Sequence, residues 1–87
     1  IKEEFNFKQS AKDLLITSQL RSALIFNKEI KSRNYQIDTY KKRIYIYGIA
    51  ENKDELKLVV DEAKSILDVE KVVASILLME DLRIQKN

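Results

Sequence analysis

The 87-residue chain contains no cysteine and no histidine. Thiol nucleophiles, disulfides, Fe–S clusters, histidine-based triads and ordinary zinc sites are removed together. Asp54, Glu55, Asp61 and Glu62 form the densest group of carboxylates, and oxygen ligands of that kind suit Mg²⁺ or Ca²⁺. Their spacing sets them in the first turn and on the polar side of one helix, where carboxylates favour the helix dipole. No base or pocket is apparent beside them. A solvated helix face is therefore expected, with no catalytic residue, no metal and no cofactor, and the chain is read as a non-enzyme.

Six of the sixteen cations form two groups, Lys28, Lys31 and Arg33, then Lys41, Lys42 and Arg43. Near an anionic surface each contributes up to ~1 kcal/mol. The plainer alternative is a solvated loop and a charged hairpin tip that blocks edge pairing. Residues 1–50 carry ten basic and five acidic side chains, whereas residues 51–87 carry six and nine, so the first half is basic although the net charge is only +2. Tyr45 and Tyr47 could stack bases on a sheet. They have no neighbouring RNP-like motif and the chain has no Gly-x-x-Gly loop, so nucleic acid is not expected and packing on another protein surface is favoured.

These groups need elements to hold them. Proline is absent, one glycine is present, 45% of residues are apolar and 34% are charged, the balance of one small globular domain. No apolar run approaches the roughly 18 residues of a membrane span. No signal peptide is evident, so any export signal is expected to have been removed or to lie outside this sequence. Residues 10–26 read as a helix with Ser10 as cap and Asp13 three residues on. Ile16, Leu20, Ala23 and Leu24 form its buried stripe. Leu14 and Ile25 project opposite that stripe and Leu15 lies on a flank. Residues 27–34 are a polar loop.

Residues 35–40 and 43–50 alternate as two strands around the turn Lys41–Lys42, although no Asn-Gly signal marks it. Asn52 and Glu55 open a second helix over 52–67 with Leu56, Val59, Val60, Ala63, Ile66 and Leu67 inward. Residues 72–79 form a third strand and residues 80–87 a polar tail. Phe5 and Phe7 belong to a short strand or an arm, and part of that segment is open to a linker reading. The order α-β-β-α-β predicts an α+β domain, a three-stranded mixed sheet with two helices on one face. The core is expected at Ile16, Leu20, Leu24, Ile44, Ile46, Val59, Ala63 and Ile76. Tyr45, Tyr47, Ile49, Val73, Leu77 and Met79 then share the other face, too apolar for simple solvent.

Over Asp13 to Leu78 the pattern resembles the BON domain, named for bacterial OsmY and nodulation proteins. Asp13-x-x-Ile16 with the pair Ala23-Leu24 resembles its opening helix. Ile37 and Ile44-Tyr-Ile46-Tyr-Gly48 resemble its hairpin, and the sole glycine falls on the family's glycine. Ala63-x-x-Ile66-x-Asp68-Val69-x-x-Val72 resembles its Ala-x-x-Val-x-Gly-Val-x-x-Val ending. Asp68 replaces the usual glycine, Ala74 stands where asparagine is common, and the turn lacks the frequent Asn-Gly. The opening helix is most similar to the second BON domain of two-domain envelope lipoproteins.

The resemblance implies a non-catalytic binding module, periplasmic or outer-membrane-associated, peripheral to the membrane. It also implies association with anionic phospholipid and a role in envelope integrity or osmotic-stress tolerance. Within it, Leu14, Leu15, Arg21 and Ile25 are the candidate lipid contact, because shallow insertion needs apolar side chains beside a cation. The alternative is that these residues pack under the N-terminal arm against Phe5 or Phe7. Lys28, Lys31, Arg33, Lys41, Lys42 and Arg43 are the candidate anionic-surface contacts. Tyr45, Tyr47, Ile49, Val73, Leu77 and Met79 are the candidate protein contact, toward a second copy or another BON domain. The alternative function is protein interaction or self-association with no lipid role. The domain is expected over residues 10–80, flanked by an arm or linker at 1–9 and a tail at 81–87.

Overall fold

The computed structural model describes residues 7–84, with side chains over residues 11–82. Helix α1 (Phe7–Phe26) is followed by a one-turn 3-10 helix (Ser32–Asn34), strands β1 (Tyr35–Tyr40) and β2 (Arg43–Ala50), helix α2 (Lys53–Lys64), strand β3 (Lys71–Leu78) and a short helix α3 (Met79–Ile84). The sheet runs β1-β2-β3, with β1 antiparallel and β3 parallel to β2. The expected α+β mixed sheet is present.

Period-2 alternation sorts the strands. Ile37 pairs with Ile46 and Thr39 with Ile44 on the side that meets the helices. Ile16, Leu20 and Leu24 of α1 and Val59 and Ala63 of α2 close over them, with Ile30 from the loop. Seven of the eight expected core residues are buried, while Ile76, on the outer strand β3, is half-buried against them.

The sequence expectations fail at the element ends. Helix α1 begins at Phe7, so Ser10 lies inside it and not at its start. Phe5 lies outside the described residues. Helix α2 stops at Lys64, where Ser65 N–H donates to the Asp61 and Glu62 carbonyls; Leu67, expected inward, is 75% exposed in the following turn. Met79 opens α3 instead of ending β3, so part of the expected tail is helical.

The hairpin has a two-residue turn, since Tyr40 pairs directly with Arg43. Lys41 and Lys42 have φ of 50° and 66°, the left-handed pair of a type I′ turn. Each costs a non-glycine residue about 1–2 kcal/mol. Both oxygens of the buried Asp13 carboxylate offset that cost, accepting from Lys41 N–H at 2.8 Å and Lys42 N–H at 3.0 Å. Helix α1 thus builds the turn that local sequence does not encode. Asp68, at the position of the family's glycine, also sits in the left-handed region, at φ 70°. Gly48 is required by close approach: a Cβ there would collide with the Asn34 carbonyl oxygen and lie 2.9 Å from Tyr35 Cα.

Candidate functional site

The inward side of α1 is fixed by Asp13, Ile16, Leu20 and Leu24. At about 100° per residue, Leu14, Ser18, Ser22 and Ile25 then face away from the sheet, with Leu15 and Phe26 beside them. All six are exposed, Leu15 at 58%, Leu14 at 67%, Ile25 at 66% and Phe26 at 82%. No charged residue interrupts this stripe; Arg21 and Lys12 flank it. The outward placement expected for Leu14, Leu15, Arg21 and Ile25 agrees with the structure. Phe26 extends the patch and was missed by sequence reasoning, although it lies one residue beyond Ile25. No described residue covers these four apolar side chains, and any packing by the side chains of Phe5 or Phe7 lies outside what the structure describes.

The six basic candidates do not converge. Asp13 anchors the Lys41–Lys42 turn near the start of α1, and Thr17 Oγ1 lies 2.6 Å from Thr39 Oγ1 one turn further on. Strand β1 therefore runs antiparallel to α1. Lys28, Lys31 and Arg33 lie past the other end of the helix, some 18 Å along its axis at 1.5 Å per residue. Lys31 is held at 2.9 Å by Glu51, and that contact raises its pKa. Lys41 Nζ lies over the Tyr40 ring, 5.3 Å from its centroid.

Arg33 lies close to α1. Together with Arg21, Leu24, Ile25, Ser32, Tyr35 and Ile37 it lines a groove of about 220 Å³ between the C-terminal half of α1 and the start of β1. The loop leading into Arg33 is held at Lys31 by Glu55, which sequence reasoning placed on a solvated face. The side chain is buried instead. Its oxygens accept from Lys31 N–H at 2.9 Å and Glu51 N–H at 2.8 Å, while its own N–H donates to Asn52 Oδ1. Burial pushes the Glu55 carboxyl up, but the Glu51 and Lys31 backbone N–H groups, with the neighbouring Tyr35 hydroxyl and the Lys31 charge, together outweigh it and hold the pKa below its ordinary value. The Tyr35 hydroxyl is buried and outside hydrogen-bond geometry with any described group. Its burial, reinforced by the neighbouring Glu55 charge, pushes the phenol well up.

The opposite sheet face places Tyr45 beside Val73, Tyr47 beside Ser75 and Ile49 beside Leu77. Five of the six expected contact residues therefore share it, and Met79 does not. Tyr40 belongs to the same face, 58% exposed, whereas Asp38 and Gln36 of β1 interrupt it opposite Tyr45 and Tyr47. Among the described residues no group of three or more carboxylates is placed to hold a metal ion, and no helix is long and apolar enough to cross a membrane.

The chain is 33% identical over 73 residues to a protein of Anaplasma centrale described as "Uncharacterized protein in gshII 5'region". That match covers 84% of this chain and 48% of the relative, so the chain spans about half the length of the curated relative it matches. The family model for the BON domain matches residues 12–79, from within α1 to the first residue of α3. The chain belongs to the BON-domain family.

Proposed function

We propose that this BON domain is a non-catalytic binding module that associates with anionic phospholipid through the outer surface of α1, at the bacterial cell envelope. The carrying observation is the uncharged stripe of Leu14, Leu15, Ile25 and Phe26, exposed beside Arg21. Apolar side chains at the rim of a headgroup layer bury surface, and an adjacent cation adds attraction to anionic lipid. The area is small, so binding is weak, reversible and salt-sensitive, with screening over ~8 Å at physiological ionic strength. A periplasmic or outer-membrane-associated location, and a part in envelope integrity or osmotic tolerance, belong to the same reading.

Co-flotation with phosphatidylglycerol vesicles against phosphatidylcholine vesicles tests it. The wild type floats with the anionic vesicles, and Leu15→Glu and Arg21→Glu reduce retention while the fold persists. Equal retention of all three proteins removes α1 as the contact.

The sheet's open face supports a second reading, self-association. Tyr40, Tyr47 and Leu77 are each about half exposed there. A charge runs across it as well, with Asp38 on β1 and Lys71 on β3. A two-fold axis along the strands lays the β1 of one copy over the β3 of the other, with Asp38 level with Val73, two residues from Lys71, and with Arg43 facing its own copy, so the apolar and aromatic side chains supply the attraction. Sedimentation from micromolar to millimolar protein distinguishes the readings: a dimer weakened by Tyr47→Glu supports this one, and a monomer throughout removes it.

A further inference from the structure

We infer that the groove between α1 and β1 is a binding site for a phosphomonoester carried on an acyl lipid, with Arg21 and Arg33 as its anion-binding pair. The inference rests on the lipid-binding reading above and gives it a headgroup preference. Arg21 comes from the C-terminal half of α1 and Arg33 from the 3-10 turn, yet both line one groove of about 220 Å³. Among the described residues neither guanidinium has an ion-pair partner, whereas Lys31 and Lys57 do. An anion held in a groove lined by two arginines gains attraction from each of them.

The chemistry of the lining narrows the anion. A guanidinium presents paired N–H donors matched to phosphate oxygens. Ser32 adds a hydroxyl to the same rim. A phosphomonoester carries roughly −1.5 to −2 at neutral pH, which balances two arginines; a phosphodiester headgroup carries one charge and leaves part of the pair uncompensated. The other walls are Leu24, Ile25 and Ile37, and Ile25 is shared with the exposed stripe that continues to Phe26. An acyl chain leaving the groove therefore meets apolar surface, which a free phosphate would not use. The 3-10 turn that carries Arg33 is positioned from below, because Glu55 holds Lys31 N–H and Lys31 carbonyl accepts from Asn34 N–H at 3.0 Å.

The test compares partition into phosphatidic acid vesicles and phosphatidylglycerol vesicles matched in surface charge. Wild type partitions into the phosphatidic acid vesicles more strongly by roughly tenfold, the weight of one charge-assisted hydrogen bond. Arg21→Lys and Arg33→Lys keep the charge and lose the fork; each loses most of that excess, and Arg33→Lys, which lies off the outer stripe of α1, retains phosphatidylglycerol binding. Lys28→Gln, a cation outside the groove, weakens both partitions alike. Equal partition of the wild type, or an excess that survives in both lysine variants, overturns the groove and leaves the lipid reading standing. Absence of the wild type from every vesicle overturns the lipid reading, and the groove is then judged with glycerol 3-phosphate. Amide shifts at Ser32, Arg33 and Tyr35 on titration preserve the phosphomonoester site; unmoved amides overturn it too.

Discussion

Helices α1 and α2 cover the same sheet face, yet their outward sides are opposites. Helix α2 shows water Lys53, Asp54, Lys57, Asp61 and Lys64, with Lys57 and Asp61 paired at 3.2 Å. Helix α1 shows Leu14, Leu15, Ser18, Ser22, Ile25 and Phe26. Both helices bury an adequate inward stripe, so packing does not account for the difference. An ordinary amphipathic helix is explained by its core alone. Helix α1 has a second apolar side that no described residue covers, and in the proposed function that surplus is the contact surface.

The comparison is broken most severely on the inward sides, where both helices obey the same rule. Leu20 is fully buried between the sheet and α2, so Leu20→Ala costs about 2–5 kcal/mol in urea denaturation. A cost below about half a kcal/mol would place Leu20 on the surface and reverse the phase of α1. Asp13→Ala comes next. It strips both N–H groups of a left-handed turn of their acceptor, at a cost of about 2–3 kcal/mol. Lys42→Gly, which relieves the same turn from the other side, stabilises the domain by about 0.5–1 kcal/mol. If Lys42→Gly destabilises, the turn is not of the left-handed type.

Each helix also contributes one buried carboxylate that holds a loop, and the two differ in how legible they were. Asp13 stood out in the sequence, but as a helix-start residue. Its true partners, Lys41 and Lys42, lie 28 and 29 residues away, and no local signal connects them. The same distance explains why the turn type was hidden, since the usual Asn-Gly is replaced by a tertiary clamp. Glu55 was read as solvated because first-turn carboxylates usually are; its burial depends on the loop at Lys31, which no periodicity places. By contrast the strand faces, the inward stripe of α1 and the outward placement of Leu14, Leu15 and Ile25 were all legible, because period and phase are local. The groove was not, because it joins Arg21 to Arg33 across a loop.

Glu55 gives the comparison a pH axis. Its pKa is lowered in the folded state, so folding favours the charged form. The stabilisation it supplies is complete above the pKa of the unfolded chain and is lost as pH falls through the lower folded value. Thermal melts of wild type and Glu55→Gln therefore differ by a constant amount near neutrality and converge in the acid range. Curves that stay parallel down to strongly acidic pH show that Glu55 is not the group being titrated.

The smallest effect on stability carries the most about function. Leu14→Lys with Leu15→Glu gives α1 a charged outer side like that of α2. Neither side chain touches the core, so unfolding free energy changes by no more than about 0.5 kcal/mol. Retention on phosphatidylglycerol vesicles nevertheless falls, because the substituted positions supply the apolar contact while the charge at Arg21 is untouched. Losing retention together with stability would place these leucines in the fold and return α1 to an ordinary packing helix. Keeping both would leave charge as the whole of the attraction. Only unchanged stability with lost retention separates the two sides of α1 as the comparison with α2 requires.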